Sequence, residues 1–307
     1  MPRPQPLPED LPEAFAVASA VSLGVSRNRL SRSDLSAPFY GVRTLHPREP
    51  EAGDVVQRCL RYAPRLKDWQ FFSHETALAL VGVPTPEWPH RLRLHVSAHR
   101  PAREPRTSGV VGHRLQLREP ATQASLHGLP VEHPARAWRQ AGTLWGFEDL
   151  VAAADFLISG PAPLASADDL RAEIRVMGDV CGGLLRAALA RTRPGVRSPR
   201  ETRLRLLLED ARLPEPQVNW ELRDRHGRFV AELDLAFPAW LVGAEYDGRV
   251  HAHDPRQFER DADRWDRIRA EGWNHVRILN HHLRGDGAAA VSKVRDALTQ
   301  AGWRPGR

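Results

Sequence analysis

The sequence predicts a multidomain α+β chain. It has a small winged-helix-like α/β head, an α+β middle domain, and a C-terminal α/β domain whose mixed central sheet is flanked by helices. Three observations carry this expectation. The chain has 307 residues, 41% of them hydrophobic, which is enough for two or three separate cores. Residues 14–45 run helix, glycine, capped helix, hairpin. Residues 198–307 run helix, three strands, helix, strand, helix, the order of a self-contained layered unit.

The prolines of "MPRPQPLPEDLP" make residues 1–12 a disordered lead-in. The head spans 13–50. Ala14 to Leu23 forms a helix that Gly24 breaks, and Ser26 caps a second helix carrying Arg27, Arg29 and Leu30. "APFYGVRTL" (37–45) follows as a short hairpin. In a winged helix-turn-helix the second helix enters a DNA major groove with its first residues at the base edges. Arg27, Asn28, Arg29 and Arg32 fall on or near that face and are the candidate DNA-binding residues.

The middle domain spans 51–194. "SHETALALVGVP" (73–84) reads as a helix with Ser73 at its N-cap and Thr76 at the capping-box position. "RLRLHVSA" (91–98) alternates basic and apolar residues as a half-exposed strand does, and "GVVGHRLQL" (109–117) is its expected partner. "PARAWRQAG", "FEDLVAAADFLIS", "SADDLRAEIRVMG" and "GGLLRAALA" read as helices. His90, His95, His99 and His113 are dispersed through a basic region, a pattern that reads as surface rather than as a ligand set.

"GVRSP" (195–199) reads as a linker into a domain spanning 195–307. Its first helix, "SPRETRLRLLLEDARLP", has Ser198 as cap, Pro199 at the first position and Glu201 in the first turn. "QVNWELRD" and "RFVAELDLAFP" flank a glycine-containing turn as two strands, and the apolar "WLVGAEYDG" is a third, buried on both faces. In "DPRQFERDADRWDRIRAEGW", Phe258, Ala262, Trp265 and Ile268 mark one face of a long helix. "NHVRILN" is a fourth strand and "GAAAVSKVRDALTQAGW" a closing helix.

That order places chemistry at strand ends. Asp234 lies on the second strand and Glu245 near the end of the third. Adjacent strands lie about 4.8 Å apart, so acids facing one side can share a cation. Glu245 and Asp247 are two apart and point the same way in a strand. Two or three carboxylates suit Mg²⁺ or Mn²⁺, which polarises a phosphodiester and lowers the pKa of a bound water. Asp234, Glu245 and Asp247 are the candidate ligands, with Glu201 orienting water. His251 is a candidate base, its ordinary pKa being near neutral. Gly248 is expected to allow a sharp turn.

Lys and Arg number 44 against 38 Asp and Glu, a net charge of +6 that favours polyanions such as DNA. Cys59 and Cys181 form no CxxC motif, which argues against a zinc ribbon and fits a reducing cytoplasm. No stretch approaches 18 uncharged apolar residues, so neither a membrane span nor a membrane partner is expected.

The stretch from "SPRETRLR" through "ELDLAFP", "AEYDGRVHA" and "FERDADRWDRIRAEGWNHVRIL" resembles an uncharacterised bacterial domain family. That family is related to the very-short-patch-repair (Vsr-like) endonucleases of the PD-(D/E)xK superfamily. Its pattern falls on Glu201, Asp234, Glu245, Asp247, Gly248, His251, Asp261, Arg264, Gly272, Trp273 and Arg277. The resemblance implies a restriction-endonuclease-like fold and a metal-dependent DNA endonuclease or nickase. The superfamily's lysine, two residues after the second acid, is Asp247 here. Arg264 from the following helix can replace its charge, or His251 its role at the water. "GVSRNRLSRSDLSAPFYGV", "SHETALALVGVP", "GVVGHRL" and "HGLPVEHPARAW" resemble AbiEi-type antitoxin proteins of actinobacteria. That resemblance implies a DNA-binding, winged-helix head and a protein partner of the toxin–antitoxin type. It also leaves open a non-catalytic, antitoxin-like regulator carrying a degenerate nuclease fold.

Overall fold

A computed structural model describes residues 5–45, 54–87, 93–118, 123–124, 127–248 and 255–306. The protein is a mixed α+β chain that divides into two compact units. The first comprises residues 1–145 and 169–182, and the second 146–168 and 183–307.

In the first unit, β1 (Ala14–Ala16) leads directly into α1 (Val17–Ser22). The predicted helix therefore loses its first turn to a strand, which pairs antiparallel with β2 (Val42–Thr44). Gly24 ends α1 at φ +86°, a left-handed conformation that favours glycine. The expected second helix is a single 3-10 turn, Arg29–Ser31. Ser26 Oγ accepts from the Arg29 amide at 3.2 Å, but the N-cap position of the turn is Asn28, whose side chain makes no capping bond. Ser31 turns its hydroxyl back onto the Arg27 carbonyl at 3.0 Å, a local bond that competes with extending the helix. The hairpin over 37–45 is closed by one antiparallel bridge, Ser36 to Thr44. Phe15, Ala20, Val25, Leu30 and Leu35 bury themselves together as the head's core.

Next come α2 (Val55–Tyr62), β3 (Gln70–Phe72), α3 (His74–Leu80), β4 (Leu94–His99), β5 (Val110–Leu115), β6 (Gln123–Ala124), β7 (Pro130–Val131) and α4 (Pro134–Ala141). The sheet order is β5-β4-β3-β7-β6. β4 is not half-exposed. It lies between β3 and β5 with five of its six residues buried. The basic half of the alternation falls before it: Arg93 precedes the strand, whose own polar residues are His95, Ser97 and His99.

Two helices then part company. α5 (Phe147–Leu157) belongs to the second unit, whereas α6 (Ala167–Met177), from Asp169 on, belongs to the first. The second unit continues with α7 (Leu184–Ala190), α8 (Pro199–Asp210), β8 (Gln217–Arg223), β9 (Phe229–Phe237) and β10 (Val242–Asp247). α9 (Pro255–Ala270), β11 (Asn274–Leu279) and α10 (Ala288–Gln300) complete it. Its sheet order is β11-β10-β9-β8: β8, β9 and β10 pair antiparallel, and β11 returns parallel to β10 after α9. Leu204, Leu208, Leu235, Phe237, Val242, Ala244, Ile278, Val294 and Leu298 form the core on one side. Leu222, Ala231, Leu233, Ala236, Ile268 and Trp273 form a smaller cluster that includes α9.

The expected linker is packed. Val196 is buried, and the Gly195 amide donates to Ser159 Oγ at 2.8 Å. A buried network ties α5 to α8: Asp155 accepts from Arg205 at 2.9 Å, Thr202 at 2.8 Å and the Arg193 amide at 2.6 Å. The boundary between units thus falls well before residue 195. No helix among the described residues is long and apolar enough to cross a membrane.

Candidate active site

Strand alternation builds the site. Val242 and Ala244 join the core, so Gly243, Glu245 and Asp247 face the other way. The antiparallel register pairs Ala244 with Leu235, and its continuation sets Glu245 beside Asp234. The parallel register on the other side pairs Gly243 with His275 and Glu245 with Arg277. Asp234, Glu245, Asp247, His275 and Arg277 accordingly line one cleft of about 570 Å³, with Arg264 and Trp265 of α9 on its wall.

Asp234 Oδ2 accepts from the Tyr246 amide at 3.0 Å. Burial, then the charges of Glu201 and Glu245, push its pKa up to about 7. The Tyr246 hydrogen bond and Arg264 offset part of that rise. Glu245 goes the other way. Burial alone would raise it, but hydrogen bonds from His275 and Arg264 outweigh burial and hold it below the usual carboxylate range. Arg264 grips it with two guanidinium nitrogens at 2.7 and 2.5 Å and also donates to the Glu232 carbonyl at 2.6 Å. His275 Nε2 lies 2.8 Å from Glu245 Oε2, one of the two oxygens that Arg264 holds.

Asp247 is drawn toward β11, accepting from Arg277 Nε at 2.7 Å, and the Arg277 guanidinium lies 4.7 Å over the Trp265 ring. Glu201 serves its own helix. Its carboxylate accepts from Ser198 Oγ at 2.8 Å and the Arg197 amide at 3.0 Å, while Ser198 Oγ accepts from its amide at 3.2 Å. Its charge still reaches Asp234.

The structure thus brings Asp234, Glu245, Asp247 and Arg264 to one cleft, with Glu201 close enough to act on Asp234 through its charge. His251 lies outside the described residues. Asp234, Glu245 and Asp247 do not converge as three donors. Among the described residues, His74, His95 and His113 of the first unit are the only three His, Cys, Asp or Glu side chains with donor atoms within 4.8 Å of one another. His74 and His95 are buried and His113 half-buried, so the reading of dispersed surface histidines fails for His95 and His113. His275 was missed, although its spacing from Arg277 puts both on one strand face; that alternation was the available signal. Gly248 is not in the left-handed region. A Cβ there would lie 2.9 Å from the Tyr246 ring.

In the head, Arg27, Asn28 and Arg32 are exposed. Arg29 is engaged within the head: its guanidinium bonds both Asp34 oxygens at 3.0 and 2.8 Å, and Nε donates to the Gln5 carbonyl. Arg27 opens onto a cleft of about 810 Å³ that also contains Arg65, Lys67 and the exposed Tyr40.

No protein-family model matches the chain. Two uncharacterised Mycobacterium tuberculosis proteins, MT2308 and Rv2248, are each 30% identical to it over 108 residues. The match covers 34% of this chain and 40% of each relative, so the chain spans well under half of their length. The crystal structure of the RV2827C protein from Mycobacterium tuberculosis is similar at TM-score 0.36 and 17% identity, covering 60% of this chain and 78% of that one.

Proposed function

We propose that the second unit is a restriction-endonuclease-like, Vsr-like domain that hydrolyses DNA phosphodiester bonds with Mg²⁺ or Mn²⁺, and that the head binds DNA through the exposed Arg27 and Arg32 that flank its single 3-10 turn. One observation carries the reading: Asp234 and Glu245 face the same cleft from adjacent strands, and Arg197, Arg264, Arg267 and Arg277 line that cleft with them. Acids beside arginines suit a substrate that is itself an anion and arrives with a divalent cation. The cation would be held by Asp234 and Glu245, and when bound it would polarise the phosphate and acidify water.

The chain's own groups set the terms of that binding. Asp234 must give up the proton it holds to about 7 before it can ligate. Glu245 must exchange Arg264 for the cation, and a phosphate in the cleft offers Arg264 an alternative bidentate partner. Arg277, paired across the strands with Glu245, supplies positive charge beside the position where the superfamily carries lysine. In the head, Arg27 and Arg32 contact DNA; Arg29 keeps the turn in shape through Asp34.

A second reading is favoured by the grip of Arg264 on Glu245, which neutralises one ligand. In it the protein is a non-catalytic, antitoxin-like DNA-binding regulator. Titration with Mn²⁺ separates the two. The nuclease reading expects nicking or cleavage of plasmid, single-stranded or mismatched DNA that Asp234→Asn abolishes. Intact substrates throughout, together with a gel shift lost in Arg27→Ala/Arg32→Ala, leave the regulator.

A further inference from the structure

We propose that His74, His95 and His113 form a binding site for one zinc-class divalent transition ion in the first unit, separate from the carboxylate cleft.

The three imidazoles come from elements that the fold fixes independently. His74 is the first residue of α3, where the chain leaves β3. His95 lies on β4. His113 lies on β5, two residues beyond the partner of His95, so both rings leave the same face of this parallel pair. The ring centroids are 3.8 Å apart for His74 and His113, 5.0 Å for His95 and His113, and 5.1 Å for His74 and His95. His95 Nδ1 and His113 Nε2 are 2.9 Å apart, a separation that one proton now bridges and that ligand atoms on a shared ion approach.

Two of the rings stand beside groups of the kind that flank metal-bound histidines, a hydroxyl at His74 and a carboxylate at His95. Ser73 Oγ lies 2.9 Å from His74 Nδ1 and accepts from Ser97 Oγ at 2.6 Å. Its second lone pair can take a proton on Nδ1, the tautomer that leaves Nε2 with a lone pair. On the far side of His95, Nε2 is buried without a hydrogen-bond partner, 3.5 Å from Glu75 Oε1. Glu75 is fixed from both ends, by the Arg93 amide at 2.9 Å and Trp145 Nε1 at 2.8 Å. A carboxylate behind a ligating imidazole orients the ring and raises its basicity.

Local structure is bent to this arrangement. His74 adopts φ +53°, a left-handed conformation that costs a non-glycine residue energy. Its amide is held by Gln140 Oε1 at 2.9 Å, because Ser73, the N-cap by position, makes no side-chain cap bond to the helix. The N-cap hydroxyl serves the histidine instead of the helix.

The donor set selects the ion. Three neutral imidazoles suit Zn²⁺, Co²⁺, Ni²⁺ or Cu²⁺ and offer nothing to Mg²⁺, which demands oxygen. Among the described residues no fourth His, Cys, Asp or Glu joins the group, so a solvent molecule would complete a four-coordinate shell.

The test uses the full chain after chelator treatment and dialysis, titrated with zinc chloride, cobalt chloride or magnesium chloride alone. One Zn²⁺ per chain is expected, with a rise in Tm and a Co²⁺ visible spectrum of a nitrogen-rich four-coordinate site. Magnesium should not compete. His113→Ala, checked for folding by circular dichroism, should lose both signals, whereas Asp234→Asn and His275→Ala should keep them. If His113→Ala does not fold, X-ray absorption on the zinc-loaded wild type decides. Imidazole-dominated scattering near about 2.0 Å supports the site, and an oxygen-dominated shell overturns it. Undiminished binding in folded His113→Ala, or no binding to the wild type, also overturns it.

Discussion

Asp234 and Glu245 are acids on neighbouring strands whose ionisation is pushed in opposite directions. Asp234 is raised to about 7 by burial and by two other carboxylates. The folded state therefore binds more protons than the unfolded state from the ordinary aspartate value near ~4 up to about 7. The stability this contributes is complete at low pH and disappears as pH rises through 7. In chelator-treated protein, Asp234→Asn should gain Tm relative to wild type on going from about pH 5 to about pH 8. An unchanged difference would show that the carboxyl is not held protonated. Arg264 is the complementary case. Removing it leaves the buried Glu245 carboxylate with His275 but without its bidentate partner, so Arg264→Ala should cost about 2 kcal/mol in urea unfolding. Arg29 and Arg32 separate structure from contact in the head. Arg29→Ala should lower stability by breaking the Asp34 pair, whereas Arg32→Ala should leave Tm unchanged and weaken DNA binding in a gel shift.

Elements show where local rules suffice and where they stop. Ser198, Pro199 and Glu201 form the start of α8 as their types require, and Ser198→Ala should cost about 1 kcal/mol. Every strand and helix expected in the last third is present, because period-2 and period-3.6 patterns there are long and well bounded. The head was less legible. Its second helix is one turn in which the Ser31 side chain bonds back to the Arg27 carbonyl, a local hydrogen bond that periodicity does not register. β4 misled for another reason: a strand's burial depends on its neighbours in the sheet, and these are set by pairings distant in sequence. The same holds for His74, His95 and His113, whose three elements are brought together only by the sheet and by α3. Asp155 belongs here too. Its buried pairing with Arg205 joins two helices about fifty residues apart in sequence, and Asp155→Ala should destabilise by roughly 3–5 kcal/mol.

At the scale of the whole molecule, the chain divides where its packing divides, and not at the glycine-proline stretch before residue 199. A fragment of residues 195–307 lacks α5 and α7 and leaves Arg205 without Asp155. It should melt at lower temperature and less cooperatively than a fragment of residues 146–307, as circular dichroism would show; equal melts would mean that α5 and α7 are dispensable to this unit. The amino-acid order alone determined the α+β class, the strands and helices of the last third, and the facing of Glu245 with Asp247, because each follows from a local period or a cap. Tertiary structure alone decided that Arg264 and His275 hold Glu245, that Asp247 is drawn to Arg277, and that three scattered histidines meet. Those outcomes depend on which strands pair and in what register, and register is set by the sum of the packing on both sheet faces rather than by any one stretch of chain.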